Sequence, residues 1–249
     1  MSFLNKVVIV TGASSGIGAA TAILFAKEGA NVVLVGRNVE KLQNVYEKCV
    51  KFGNKSIQIR ADISNDEDAK RIIEKTIEIF GKLDVLINNA GLVRFAKIED
   101  DDIMEVFDTI LNTNLRAQVH LTHLAIPYLI KTKGNIVNVS SISGTLPPAT
   151  KMIAYGTSKA ALNHFTRGAA AEFAAHGVRV NTVSPGPVKT DVLLNAGISD
   201  PLEKLYPTPL QRISEPHEIG DLILFLASDK ARAITGSEFV SDNGYMLKR

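Results

Sequence analysis

Short runs of consecutive apolar, β-branched residues alternate along this chain with longer stretches whose apolar positions recur every three to four residues. The runs lie at Lys6–Thr11, Asn31–Gly36, Ser56–Ala61, Val85–Asn88, Asn135–Ser140, Arg179–Val183 and Glu238–Val240. Most are apolar on successive residues, the pattern of strands covered on both faces. The longer stretches predict helices at about Gly16–Glu28, Val39–Phe52, Asp66–Phe80, Asp102–Ile130, Ala154–Ala175 and Glu215–Ala227. Strand and helix in alternation predict parallel strands joined by helical crossovers.

No Pro/Gly/Ser-rich linker, internal repeat or block of like charge divides the 249 residues, so residues 1–249 read as one domain. The expected fold is α/β, a doubly wound, Rossmann-like, mostly parallel seven-stranded sheet with helices on both faces. The least regular segment is 185–212, where Pro185, Pro187, Pro201, Pro207 and Pro209 interrupt any helix. A loop of that length in a compact domain reads as a lid or substrate-binding loop.

Composition narrows the partners. Lys and Arg number 28 against 26 Asp and Glu, a formal charge of +2, too small to hold nucleic acid or an anionic membrane by bulk electrostatics. The apolar run Val7–Val10 falls far short of the roughly 18 residues a membrane span needs, and no segment reads as a targeting signal. A single cysteine, Cys49, makes no internal disulfide and reads as a small buried helix residue, which suits a reducing compartment, the cytoplasm.

The first strand runs into Thr11-Gly12-Ala13-Ser14-Ser15-Gly16-Ile17-Gly18 and then into a helical pattern. Such a turn cradles phosphate: Gly12 permits the bend, Gly16 lets backbone N–H groups approach a pyrophosphate, and Gly18 lets the helix sit against the strand. The spacing, G-x-x-x-G-x-G, is related to the commoner G-x-G-x-x-G fingerprint without matching it.

Here the sequence resembles the short-chain dehydrogenase/reductase family, whose glycine motif is T-G-x-x-x-G-x-G. Asn88-Asn89-Ala90-Gly91 matches the family's N-N-A-G, Tyr155-Gly156-Thr157-Ser158-Lys159 its Y-x-x-x-K, and Asn181–Gly186 the segment entering its Pro-Gly turn. Asp242-Asn243-Gly244 stands close to its terminal D-G-G. The resemblance spans essentially the whole chain. It implies a nicotinamide cofactor held by Gly12, Ser14, Ser15, Gly16, Ile17, Gly18, Asn89, Ala90 and Gly91, with Pro185, Gly186, Val188 and Thr190 closing over the nicotinamide end. It also implies a homotetramer or dimer, with the long helices and Gly236–Arg249 as contacts.

Just past the second strand, where an acidic residue would select a free ribose 2′-hydroxyl, stand Gly36-Arg37-Asn38. Without a carboxylate to repel a 2′-phosphate and with a guanidinium able to pair with one, NADP(H) is expected over NAD(H). Ser14 adds a hydroxyl. Asp62 resembles the family residue at the adenine ring, and a turn-capping Asp is the plainer alternative.

Tyr155 and Lys159, four residues apart on an expected helix, share a face. A free tyrosine titrates near pH 10, and a neighbouring ammonium is expected to lower that and make the phenol a usable acid/base. In the family the tyrosine and the lysine also meet the cofactor, the lysine at its nicotinamide ribose. A carbonyl accepting hydride builds negative charge on oxygen, so a second donor is needed. Ser141, after the strand ending at Ser140 and three residues before Gly144, fits the family pattern; its gap to Tyr155 is one residue longer than the common spacing, and Ser143 is the alternative. Asn114 resembles the family asparagine whose backbone carbonyl holds a water beside the lysine. The expected catalytic set is Asn114, Ser141, Tyr155 and Lys159.

No metal is expected. His120 and His123 share a helical face without nearby acidic or cysteine ligands, and no H-E-x-x-H occurs. Leu92, Val93, Phe95, Leu146, Met152, Ile153, Val192 and Leu193 are candidates for an apolar substrate pocket, with Arg94 near it. The expected function is an NADP(H)-dependent reductase acting on a small-molecule ketone or secondary alcohol, bulky and apolar, steroid-like or a 3-oxoacyl thioester. The alternative is a nucleotide-binding redox sensor or scaffold of the same fold without turnover.

Overall fold

Seven strands, β1 (Val7–Thr11), β2 (Asn31–Gly36), β3 (Ser56–Arg60), β4 (Val85–Asn88), β5 (Asn135–Val139), β6 (Arg179–Pro185) and β7 (Glu238–Ser241), form one wholly parallel sheet. Their order is β3-β2-β1-β4-β5-β6-β7. The order reverses between β1 and β4, and a doubly wound sheet opens its ligand crevice there, at the carboxyl ends of the strands. The computed structural model describes residues 2–147, 149–192, 197 and 205–247.

Among the described residues the named α-helices are α1 (Gly16–Lys27), α2 (Val39–Val50), α3 (Asp66–Phe80), α4 (Ile103–Leu111), α5 (Ala117–Thr132), α6 (Ile153–Phe173) and α7 (Pro216–Ala227). Alternation along each strand sends neighbours to opposite layers. Val8, Val10, Val32 and Leu34 pack with Phe25 of α1, Leu42 of α2 and Ile219 of α7. Val7, Ile9, Val33 and Val35 pack with Ile72 of α3, Leu121 of α5 and Ala169 of α6. Both faces are therefore dry, which explains the unbroken apolar runs. Each large side chain so buried contributes about 1.5–3 kcal/mol.

The expected single helix Asp102–Ile130 is in fact two helices, α4 and α5, joined by a π-helical turn at Asn112–Arg116. In that turn the Ala117 N–H reaches back five residues to the Asn112 carbonyl. Buried positions step by three and four on both sides of it, so the sequence pattern reads straight through. Such insertions widen the helix and gather at functional sites. Cys49 is buried on α2, and burial pushes its thiol up to about 12. Among the described residues no helix is long and apolar enough to cross a membrane.

Candidate active site

The turns leaving five adjacent strands meet in one cleft of about 1120 Å³. Arg37 follows β2, Gly12 follows β1, Asn89 follows β4, Ser141 follows β5, and Pro185 and Gly186 leave β6. A site for one drug-sized ligand spans about 300–1,000 Å³, and this cleft lies just above that range.

The glycine turn is clasped to β4. Asn89 Nδ2 donates to the Thr11 carbonyl at 2.8 Å, and Thr11 Oγ1 accepts from the Asn89 and Ala90 N–H groups, each at 3.0 Å. Gly12 has φ +66°, and a Cβ there would stand 2.8 Å from Asn89 Nδ2. Gly18 lies behind the cleft lining, where a Cβ would stand 2.3 Å from the Gly12 carbonyl oxygen. Its role is therefore to bring α1 against the turn.

At the N-termini of α2 and α3, Asn38 and Asn65 accept hydrogen bonds from the Lys41 and Asp68 N–H groups. Ser15, the capping residue before α1, makes no such side-chain bond, and the first turn carries no acid. The free N–H groups and the helix dipole at that end suit an anion. Thr190 lies over the same turn, its Cγ2 2.9 Å from where a Gly16 Cβ would be. Val188 also lines the cleft and pairs with Ser214 in an isolated parallel bridge. These residues fit a dinucleotide: a cradle that side chains would fill, beside an uncapped helix end.

At the β2 end, Arg37 is exposed and Nη1 is 3.5 Å from Asp62 Oδ2. The Asp62 carboxylate also caps its own turn, accepting from the Ser64 N–H at 3.0 Å and Ser64 Oγ at 2.7 Å. Partial burial works upward on this carboxyl, but the Ser64 bonds and the Arg37 charge outweigh it and hold it below the usual carboxylate range. Asp62 thus lines the cleft and caps its own turn. Sequence reasoning missed Lys41, which lines the cleft one turn beyond Arg37 and donates from Nζ to Asp191 Oδ2 at 2.6 Å. Its position near the start of α2 was the available signal.

At the other end, α6 brings Tyr155 and Lys159 together, with Lys159 Nζ 5.7 Å from the centre of the tyrosine ring. Lys159 is only 3% exposed, its Nζ donates to the Val139 carbonyl at 2.9 Å, and burial lowers its pKa from 10.5 to about 8. Tyr155 differs from expectation. Burial raises its phenol above the ordinary value, a hydrogen bond from the Ser141 hydroxyl works against that rise, and the nearby Tyr206 phenol adds to it. The amine, pointed at a backbone carbonyl, does not lower the phenol by itself. Ser141 also accepts from the Ser143 N–H at 3.1 Å, while Ser140 Oγ donates to the Lys159 carbonyl at 3.2 Å. Of the three hydroxyls, the one at 141 acts on the Tyr155 phenol. Gly144 lets this turn press on α6, since a Cβ there would stand 2.8 Å from the Lys159 carbonyl carbon.

Asn114 sits in the π-turn, fully buried rather than facing water. Its Oδ1 accepts from the Leu92 N–H and its Nδ2 donates to the Leu92 carbonyl, both at 2.9 Å. It stands behind Gly91, where a Cβ would be 3.2 Å from Asn114 Oδ1 and 3.6 Å from Lys159 Nζ. Its Nδ2 also reaches Ser158 Oγ at 3.3 Å, so the asparagine ties the segment after β4 to α6 beside the lysine.

Leu92, Val93, Phe95, Leu146, Met152 and Val192 line the cleft beyond Tyr155, as does Arg94. Ile153 does not: as the first residue of α6 it is 43% exposed, because the helix turns Ala154 inward instead. Leu193 lies outside the described residues, as does most of 193–204. Tyr206 and Tyr245 line the same end, and no local pattern marked either. Contrary to the sequence reading, His120 has an acidic neighbour, its Nδ1 3.2 Å from Asp66 Oδ1. Among the described residues, no group of three or more His, Cys, Asp or Glu could hold a metal.

A nucleotide-fold oxidoreductase is the class that this sheet and cleft define. A family model described as enoyl-(acyl carrier protein) reductase matches residues 12–246. The chain is 34% identical to cyclohexanol dehydrogenase of Acinetobacter sp. (strain SE19), covering 99% of this chain and 97% of that one. It is also 34% identical to the 3-oxoacyl-acyl-carrier-protein reductase FabG of Thermotoga maritima, over 99% and 100%. A solved short-chain dehydrogenase from Burkholderia cenocepacia J2315, in complex with NADP, superposes with a TM-score of 0.92 at 31% identity, over 99% of this chain and 100% of that one. The chain belongs to the short-chain dehydrogenase/reductase family. It is an oxidoreductase of alcohols or carbonyl compounds that uses a nicotinamide cofactor.

Proposed function

We propose that this protein is an NADP(H)-dependent carbonyl reductase acting on a bulky, largely apolar ketone. The observation that carries the reading is that Ser141, Tyr155 and a buried lysine line the same cleft as an uncapped glycine turn. The nicotinamide, when bound, supplies or accepts the hydride.

Ser141 and Tyr155 hold the substrate oxygen between two hydroxyls, where negative charge develops. Tyr155 delivers the proton to that oxygen. A phenol held high stays protonated at neutral pH and is a donor ready for the reductive direction. Lys159 titrates near pH 8 and can release or take up a proton close to neutrality, so it recharges the phenol. Asn114 holds Leu92 and the start of the substrate segment against this pair. The apolar residues Leu92, Phe95 and Met152 exclude water.

Ser14, Ser15, Gly16, Ile17 and Asn89–Gly91 would hold the dinucleotide, with Pro185, Gly186, Val188 and Thr190 over its nicotinamide end. Arg37 and Lys41 supply two cations where a 2′-phosphate would lie, and this supports NADP(H) over NAD(H). Segment 185–212 carries substrate contacts, and the assembly is a homotetramer or dimer in the cytoplasm. The test is a panel of ketones with NADPH or NADH, followed at the nicotinamide absorbance. Oxidation of NADPH in preference to NADH is expected; tight cofactor binding with no turnover across the panel would refute the reading.

A further inference from the structure

The cleft that holds Tyr155 is also lined by two phenols that neither cofactor binding nor proton transfer uses. Tyr206, in the segment after β6, and Tyr245, after β7, meet edge to face with ring centres 6.2 Å apart and planes at 61°. Both are half-buried and line the cleft. Neither hydroxyl hydrogen-bonds another described residue, although tyrosine in a partly buried site usually finds a partner.

The turn that carries Tyr245 is held firmly. Asp242 fastens the turn that carries Tyr245, accepting from the Gly244 and Met246 N–H groups at 2.8 Å each. Asn243 adopts φ +53° and donates from Nδ2 to Ser214 Oγ at 2.8 Å, while its carbonyl accepts from the Leu210 N–H at 3.2 Å. Ser214 in turn pairs with Val188 at the cleft. A glycine at 243 would lack the side-chain bond. This chain's Asp-Asn-Gly turn therefore fixes a residue from the end of the sheet against the substrate segment. Tyr206 is close enough to Tyr155 to lift its phenol electrostatically.

We propose that Tyr206 and Tyr245 form the substrate-selecting wall of this site, and that it favours a ring-bearing carbonyl compound with a hydrogen-bonding substituent on the ring. The proposal rests on the carbonyl-reductase reading above and narrows its substrate class. Fixed aromatic rings gain most from a flat or closed ring, which keeps its shape on binding, whereas a straight chain must be ordered to make the same contact. The two hydroxyls, which bond no other described residue, offer donors and acceptors to such a substituent, and Leu92, Phe95 and Met152 add apolar lining to the same cleft.

The experiment compares 4-hydroxycyclohexanone, cyclohexanone and 2-hexanone as substrates with NADPH, in the wild type and in Tyr206→Leu, Tyr245→Leu, Tyr206→Phe and Tyr245→Phe. NADPH affinity by calorimetry verifies that each variant is folded. The kcat/KM ratio of 4-hydroxycyclohexanone to 2-hexanone is expected to fall by about threefold to tenfold in either leucine variant. At least one phenylalanine variant should lose the preference for the hydroxylated over the plain ring. Leu247→Ala, exposed beyond the same turn, should keep the wild-type ratio. A ratio unchanged within about twofold in both leucine variants, or a hydroxyl preference kept in both phenylalanine variants, overturns the wall. If the wild type binds NADPH but turns over none of the three ketones, the reaction reading fails. The wall is then judged by the affinity of the NADP-loaded protein for cyclohexane-1,4-diol: weaker binding in the leucine variants upholds it, and absent or unaltered binding overturns it.

Discussion

Replacing Lys159 by Met is expected to stabilise the protein at neutral pH while removing activity. The amine is 3% exposed, and burial lowers its pKa from 10.5 to about 8. At about 1.4 kcal/mol per pH unit, keeping that charge buried costs about 3 kcal/mol at pH 7. Methionine has a similar length and no charge, but it leaves the Val139 carbonyl without the 2.9 Å bond from Nζ, a loss of about 1 kcal/mol. A net gain of about 2 kcal/mol in a chain of this size raises Tm by about 4–8 °C.

The pH dependence gives this prediction its signature. Between pH 8 and 10.5 the folded lysine has lost its proton while the unfolded one still holds it. The unfolded state then binds more protons, so wild-type stability rises with pH through that window. Below pH 8 the cost is fully present. The Tyr155 phenol, held above its ordinary value, adds no competing charge through most of the window. The assay is thermal melting of both proteins from pH 6 to 10.5, taking the difference at each pH. A Tm advantage for the variant at pH 7 that shrinks toward pH 10.5 is expected. A variant equal to or less stable than the wild type at pH 7, with a difference independent of pH, would refute the reasoning.

Three further outcomes follow from the same geometry. Arg37→Asp should lower kcat/KM for NADPH by about tenfold to a hundredfold, since a charge-assisted pair of about 1.5–3 kcal/mol is lost, and should spare NADH; steady-state kinetics with both cofactors check it. Asn114→Ala strands the Leu92 N–H and carbonyl in a buried site, so unfolding in urea should show a loss of about 2–4 kcal/mol, with kcat falling as well. Gly18→Ala places a Cβ 2.3 Å from the Gly12 carbonyl oxygen, so calorimetry should find NADPH affinity reduced at least about tenfold as the turn is forced off β1.

Much of this was legible in the sequence because the physics is local or periodic. Residues of β1 and β2 are apolar in succession since alternate ones enter different layers, and that pattern by itself indicates a sheet covered on both sides. The glycine turn is legible because φ and close approach restrict the residue type. The π-turn at 112–116 escaped because one extra residue per turn leaves the stripe of buried positions unbroken. The direction of the Tyr155 shift escaped for a different reason. Spacing places the ammonium on the same helix face, but whether its charge reaches the phenol depends on burial and on the Val139 carbonyl that claims Nζ. Tyr206 and Tyr245 meet only through the tertiary fold. Ile153 misled because a helix's first residue can face either way until the preceding turn is known.

The central claim is that the Tyr155 hydroxyl transfers the proton. Tyr155→Phe removes that one oxygen and keeps the ring. With NADPH and a ketone that the wild type reduces, the variant should bind NADPH with unaltered affinity while kcat falls by about 10²–10⁴-fold. Turnover within about tenfold of the wild type would contradict the account, because another group would then be supplying the proton.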